Sequence, residues 1–344
     1  MARFGGLVAS DLQDVTSDPA ALDSSGFWAV SVDFEGSPVC ARFAAVRTEA
    51  VPAPVRGAWR GPAAGDWKTS LDRAAYTAGV RRIREYIAAG EVYQANLCRV
   101  MTAALPEQAA ADVDALTALL ALGNPAPYAG TIRLPGYGVE IATASPELFL
   151  RRDGRTVESG PIKGTGRTED DLLEKDHAEN VMIVDLVRND LGRVCATGSV
   201  TVPDLCVVEK HPGLVHLVST VRGELAEGVG WPELLDAAFP PGSVTGAPKS
   251  SALRIIEELE TAPRGPYCGG IGWVDADRRT ASLAVGIRTF WMDRTGTAPV
   301  LRFGTGAGIT WGSDPEREWD ETELKASRLL AVASGAHEAT GRTA

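Results

Sequence analysis

The run Ser159–Gly192 constrains this chain more than any other stretch. It opens as Ser159-Gly-Pro-Ile-Lys-Gly-Thr-Gly166, with Lys163 in a turn bounded by glycine and proline. It continues through Glu174-Lys-Asp-His-Ala-Glu-Asn180 into Val181-Met-Ile-Val-Asp-Leu-Val-Arg-Asn-Asp-Leu-Gly192. The later part has helical character, so Asp176 and Glu179, three positions apart, share one face. Two carboxylates on a rigid helix can converge on one cation. Mg²⁺ suits them, because it takes few protein carboxylates and leaves positions for substrate oxygens. An amine beside such a site points to chemistry on a small anionic molecule. A solvated loop lysine and the polar face of a surface helix would give the same spacing, and both readings stand on the residues alone.

The chain has 344 residues, more than the usual single domain, and its 44% hydrophobic content is enough for a sizeable core. A formal charge of −11 lacks the basic face that nucleic acid requires and gives no long-range attraction for an acidic substrate. An anion site must therefore be made locally, by a metal, Arg, Lys or backbone N–H groups. Cys40, Cys98, Cys195, Cys206 and Cys268 are scattered and odd in number, without a CxxC spacing. That pattern favours reduced thiols in a cytoplasmic protein over disulfides or zinc. No segment resembles a signal peptide and no apolar run approaches a membrane span, so no membrane partner is expected.

Residues 1–70 read as irregular apart from a hairpin, in which residues 27–34 and 39–43 flank Glu35-Gly-Ser-Pro38, and a Pro/Gly-rich connector. The spacing predicts a helix over 72–89, with Ser70 as N-cap and Gly90 as its stop. The strand-like residues 92–99 place Gln94 and Asn96 on one face, which fits solvent or a pocket wall. A helix over 109–122 and strands over 129–134 and 139–144 lead to Ser145-Pro-Glu147. Glu147, among apolar neighbours, fits a capping carboxylate or an acid of raised pKa. Strands follow over 200–209 and 214–225, the second holding His216, which fits a structural or a catalytic role.

A short helix over 232–238 precedes Phe239-Pro-Pro-Gly-Ser-Val-Thr-Gly-Ala-Pro-Lys249, a Gly/Pro turn opening onto a helix over 250–259. Such a turn offers N–H groups to an anion. Strands are expected over 269–275 and 280–292. Residues 302–310 form a strand with Gly304, Gly306 and Gly308 in alternation, where a ligand can approach the backbone. The last helix starts at Asp314-Pro315 and sets Glu318, Glu321 and Lys325 on one face. That is a second acidic pair or a surface salt-bridge pattern.

Together these motifs resemble the chorismate-utilising enzymes. The resemblance covers about residues 72–332. It rests on Gly90-Glu-Val-Tyr-Gln-Ala-Asn-Leu97, Ser145-Pro-Glu147, Pro161-Ile-Lys-Gly-Thr165, the run His177–Asp190, Gly242-Ser-Val-Thr-Gly-Ala-Pro-Lys249, Arg264-Gly-Pro-Tyr-Cys-Gly269, Gly306-Ala-Gly-Ile309 and the closing Glu318–Lys325. It implies an α+β fold of two large stacked antiparallel β-sheets flanked by helices. A short N-terminal segment over 1–70 would precede a chorismate-binding catalytic domain over 71–335 and a disordered tail over 336–344.

By position, the resemblance implies that Glu179 and Glu321 hold Mg²⁺, with Asp176 and Glu318 beside them or acting through water. The metal would bind the ring carboxylate of chorismate. Tyr267, Arg288 and the Gly306 and Gly308 backbone would bind the enolpyruvyl carboxylate. Lys325, Thr245 and Gly246 would help hold the ring carboxylate, and Gln94 and Thr165 would complete the substrate contacts. His216 would lie near the departing ring hydroxyl, Glu147 would protonate it, and Lys163 would attack. Water-using members resemble one another in carrying Lys where this chain has Gln94, so ammonia is the expected nucleophile. Pro-Ile-Lys-Gly-Thr resembles the branch that aminates C4, whereas the anthranilate branch has Pro-Ile-Ala-Gly-Thr. The ammonia would come from a glutamine amidotransferase subunit or from solution. The part before the core is shorter than in amidotransferase-coupled members, and the tryptophan-binding segment of anthranilate synthases is not found. That fits an enzyme without feedback inhibition.

Overall fold

The computed structural model describes residues 1–50, 59–106, 112–123, 125–166, 168–172, 174–211, 214–296 and 298–335. The expected tail over 336–344 lies outside them, as do residues 51–58 of the connector expected over 44–70, whose first residues instead continue the strand Pro38–Thr48. Six helices are present among the described residues: α1 (Arg73–Ala88), α2 (Val113–Gly123), α3 (Glu174–Gly192), α4 (Trp231–Ala238), α5 (Lys249–Leu259) and α6 (Pro315–Ala333). Their causes are local. In α1, Tyr76, Val80 and Ile83 recur at helical spacing and are fully buried. Its N-cap is Asp72, whose carboxylate accepts from Ala75 N at 2.8 Å. Ser70, the expected cap, instead accepts from Val100 N at 3.0 Å and ties the helix start to a strand. Gly90, at φ +76°, ends the helix as expected.

Among the described residues all strand pairings are antiparallel and join into one continuous network. Starting at Gln94–Ala104, the network passes through Val300–Ile309, Thr289–Asp293, Val139–Ser145 and Tyr128–Leu134. The short strand Ala2–Phe4 then pairs with Tyr128–Leu134 on one side and with Leu7–Thr16 on the other. From there pairing runs through Pro38–Thr48, Phe27–Val32, Gly270–Asp275, Thr280–Val285 and Leu148–Asp153. It ends with Thr156–Gly160 and Ile162–Gly166, both on Leu214–Glu224, which carries Thr201–His211 on its far edge.

The network curls so that its two halves face each other. One apolar cluster joins Val100, Ile132 and Ile141 of the first half to Val30, Phe149 and Ile271 of the second. This is the two-layered α+β arrangement the motifs imply. Strand alternation explains the layering. Along Gln94–Ala104, Cys98 and Val100 point between the halves, while Ala95 and Leu97 point outward onto α1 and α5. Further along the outer face, Met101 and Phe303 pack with Leu116 of α2 and Leu329 of α6. On the second half, Ile183 and Val187 of α3 and Leu234 of α4 join the shared core.

Three further expectations change. Residues 1–70 are not irregular apart from one hairpin, because Ala2–Phe4 and Leu7–Thr16 are strands. Asp11, Leu12, Gln13 and Asp14 are exposed, so the second lacks the apolar alternation of a half-buried strand. The strand expected over 280–292 is two, Thr280–Val285 and Thr289–Asp293. Arg288, at φ +53°, turns the chain between them. Lys163 is not in a turn but in the strand Ile162–Gly166, whose pairing shifts register between Lys163 and Thr165.

Candidate active site

The curled sheet brings its two ends together, and the site lies at that seam. One wall is the pair Gln94–Ala104 and Val300–Ile309 with α6 outside it. The other is Ile162–Gly166 on Leu214–Glu224, with α3 packed against it. The turn Phe239–Lys249 closes the gap. Its Gly246 and Ala247 pair with Ala95 and Gln94 of the first wall. Its Ser243 carbonyl accepts from Asn96 Nδ2 of that wall at 3.4 Å and from Lys163 Nζ of the other at 3.2 Å.

Lys163 owes its place to Gly164. That glycine takes φ +72°, and a Cβ there would stand 3.0 Å from Cβ of Asp176. The bulged strand and α3 can thus lie in contact only with glycine at this position. Burial pushes the Lys163 ammonium below its ordinary pKa. The carboxylates of Glu179 and Glu147 oppose that shift, and the Lys325 charge adds to it. Burial outweighs the carboxylates, so the net shift is downward.

Glu147 follows the strand Val139–Ser145 and is 4% exposed. Its N–H donates to Ser145 Oγ at 3.2 Å and its carbonyl accepts from Val285 N at 3.0 Å, so its backbone is fixed. Burial pushes its carboxyl up to about 7, against the pull of the Ser243 hydroxyl, Lys163 and the Ile162 N–H. Of the two readings for this residue, the raised pKa agrees with the buried acid. A buried acid near pH 7 can donate a proton and be recharged.

On α6, Asp314 caps the helix by accepting from the N–H groups of Glu316 and Arg317, both at 3.1 Å. Lys325 Nζ lies 2.8 Å from Glu321 Oε1 and donates to the Gly306 carbonyl at 3.1 Å. Burial would raise the Glu321 carboxyl, but Lys325, Lys175 and Lys163 outweigh it and hold it below the usual range. Glu318 is raised by burial and by the Glu321 charge. Glu179 of α3 is raised by burial, with the charges of Asp176 and Glu321 adding to that rise. Carboxylates from α3 and α6 therefore act on one another across the seam.

The glycine strand is the floor. Side chains added at Gly304, Gly306 and Gly308 would meet the Tyr267 ring at 2.0 Å, Cys98 Sγ at 2.5 Å and Gln94 Nε2 at 2.3 Å. Gln94 and Asn96 do not form a solvent face: they are 0% and 8% exposed and lie at the seam. Gln94 Nε2 donates to Asn96 Oδ1 at 3.4 Å, and Gln94 Oε1 has no hydrogen-bond partner among the described residues. Thr245 is buried; its hydroxyl donates to the Pro241 carbonyl at 2.8 Å and its own carbonyl accepts from Asn96 N at 2.8 Å. Gly246 leaves no room for a side chain, since a Cβ would sit 2.2 Å from the Gln94 carbonyl.

Tyr267 is buried, and burial raises its phenol well above its ordinary pKa. Burial lowers the pKa of Arg288, whose carbonyl accepts from Ala144 N at 3.0 Å. His216 is 2% exposed and stands opposite Thr165 across the strand pair, one position from the residue that pairs with Lys163. Sequence reasoning missed Ser243 and Lys175. Ser243 touches both the amine and the acid, and Lys175 acts on Glu179, Glu318 and Glu321. Ser243 stood inside the motif Gly242–Lys249, but a serine in a Gly/Pro turn reads as ordinary turn chemistry.

The acids test what kind of metal could bind. Among the described residues, no three His, Cys, Asp or Glu side chains converge as a ready-made cage. The carboxylates present fit an ion that takes a few protein oxygens and completes its shell with substrate and water, as Mg²⁺ does.

Residues 18–331 match the family of chorismate binding enzymes. This chain belongs to that family. It is 39% identical over 288 residues to anthranilate synthase component 1 of Haloarcula marismortui, covering 80% of this chain and 56% of that protein. It is 38% identical over 279 residues to aminodeoxychorismate synthase component 1 of Escherichia coli, covering 77% and 59%. The crystal structure of anthranilate synthase component I from Streptococcus pneumoniae superposes with a TM-score of 0.72 at 26% identity, covering 95% of this chain and 81% of that one. The chain thus spans little more than half the length of the two curated relatives. No helix among the described residues is long and apolar enough to cross a membrane.

Proposed function

We propose that this enzyme aminates chorismate at C4 with ammonia, giving 4-amino-4-deoxychorismate, the reaction of aminodeoxychorismate synthase component I. The observation that carries the reading is the placement of Lys163: a pKa-depressed amine at the seam, beside a buried acid near neutrality. The neutral amine adds at C2 as both ring double bonds shift and the C4 hydroxyl departs. Glu147 gives that hydroxyl its proton, so water leaves. Ammonia then adds at C4, both double bonds shift back, and the C2–N bond to Lys163 breaks, returning the neutral amine. The ammonium formed at C4 gives up a proton that restores Glu147. Two displacements retain geometry at C4 and divide one hard step into two easier ones.

Tyr267, Arg288 and the Gly306–Gly308 backbone receive the enolpyruvyl carboxylate. Lys325, Thr245 and Gly246 help with the ring carboxylate. Mg²⁺ held by Glu179 and Glu321, with Asp176 and Glu318 beside them, would neutralise that ring carboxylate. Gln94 supplies no base to activate water, which supports ammonia as nucleophile, from a glutamine amidotransferase subunit or from solution. The product would feed p-aminobenzoate and folate synthesis in the cytoplasm.

Product identification tests the reading. Purified protein with chorismate, Mg²⁺ and an ammonium salt should give aminodeoxychorismate by mass, convertible to p-aminobenzoate by a lyase. Directly fluorescent anthranilate as the main product would instead make this chain a C2-aminating enzyme, in line with its similar identity to anthranilate synthases.

A further inference from the structure

The loop Arg264–Gly269 carries Tyr267, and the side chain that begins it does not face the pocket. The Arg264 guanidinium is 1% exposed and reaches two separate pieces of the site and the end of α5. Nη1 donates to the Val244 carbonyl of the closing turn at 2.8 Å. Nη2 donates to the Asn96 carbonyl of the first wall at 3.2 Å and to Glu260 Oε1 at 2.7 Å, while Nε donates to Glu260 Oε2 at 2.8 Å. Glu260, just past the end of α5, in turn accepts from Cys98 N at 2.8 Å. A bidentate pair of this kind fixes direction as well as distance.

The same loop is held from outside by the hairpin that joins Phe27–Val32 to Pro38–Thr48. Glu35 at its tip accepts from Arg264 N at 2.7 Å and from Gly265 N at 3.1 Å. Phe34 N donates to the Gly265 carbonyl at 2.7 Å, and the Phe34 ring lies 4.1 Å from the guanidinium carbon. These bonds hold the first two residues of the loop whose Tyr267 ring stands over Gly304.

We propose that Arg264 and Glu35 are positioning residues for substrate binding: Arg264 locks the Tyr267 loop to the closing turn and the Asn96 strand, and Glu35 clamps that loop's backbone from the N-terminal hairpin. The proposal rests on the reading that this loop binds the substrate's enolpyruvyl carboxylate.

Steady-state amination with chorismate, Mg²⁺ and ammonium separates the two ideas. Arg264→Lys keeps the charge but loses the fork, and should raise KM for chorismate by roughly tenfold with kcat changed about twofold or less. Glu35→Ala, at a more exposed position, should raise KM by about threefold, and Glu35→Gln should recover part of that because its amide oxygen still accepts one N–H. Amide hydrogen exchange of the free protein should show faster exchange at Gly265 in Glu35→Ala. Unchanged KM in both positioning variants, with KM raised in Tyr267→Phe, overturns the clamp and leaves the loop as a substrate contact. Unchanged KM in all three overturns the substrate reading of the loop and the clamp with it. If Arg264→Lys does not fold, the Glu35 variants decide by the same comparison.

Discussion

At the scale of single residues, the chemistry turns on two ionisations that burial moves in useful directions. Glu147 is an acid held up to about 7. As a general acid it works while protonated, so its contribution fades as pH rises through about 7. Glu147→Gln should lower the amination rate by about 10²–10⁴-fold and remove that limb from the pH–rate profile. The sign for stability is the reverse of a salt-bridged carboxylate. The unfolded side chain ionises near 4.5 while the folded one keeps its proton to about 7. Stability is therefore lost between those values, by about 3 kcal/mol at most, and Glu147→Gln should melt higher than the parent at pH 8 but not at pH 4. Thermal melts at the two pH values check this. Lys163→Ala should abolish C4 amination, and unchanged turnover by mass detection would remove the covalent step. Both residues were legible in the sequence as candidates. What was not legible is the sign of the Lys163 shift, because burial and neighbouring carboxylates oppose each other there and only coordinates show which is stronger.

At the scale of elements, the seam depends on how closely strands and helices approach. Gly308→Ala would drive a methyl to 2.3 Å from Gln94 Nε2. It should weaken chorismate binding by roughly tenfold or more, read as KM, while the melting temperature falls modestly because the wall of the pocket and not the core is disturbed. The three alternating glycines announced this in the sequence, and the motif order announced the acidic helices. Other features were hidden for physical reasons. Ser70 and Asp72 are both acceptable N-caps by composition, and only the backbone path chose Asp72. Ile162–Gly166 reads as a turn because glycine and proline bound it, yet a register shift lets those residues sit inside a strand. Gln94 and Asn96 look like a solvent face because polar alternation has the same period whether it meets water or a pocket.

At the scale of the whole molecule, the site exists only because a long antiparallel network returns to its own beginning. Lys163 and the α3 acids belong to one end of the strand order, and Gln94, the glycine floor and the α6 acids to the other. The strand Ala2–Phe4 links the two halves by pairing with both Tyr128–Leu134 and Leu7–Thr16. Phe4 is 9% exposed, and its ring closes on Gly130 so tightly that a Cβ there would lie 2.6 Å from Phe4 Cδ1. Phe4→Ala removes that packing at the joint, far from any reacting group. It should cost about 3 kcal/mol in denaturant unfolding, the lower range for a buried phenylalanine. If the halves are one cooperative body, the transition stays single and KM and kcat of the folded enzyme stay near the parent's. If they can separate, the same variant should unfold in two steps, with amination lost in the first, because each step would dismantle a different wall of the seam.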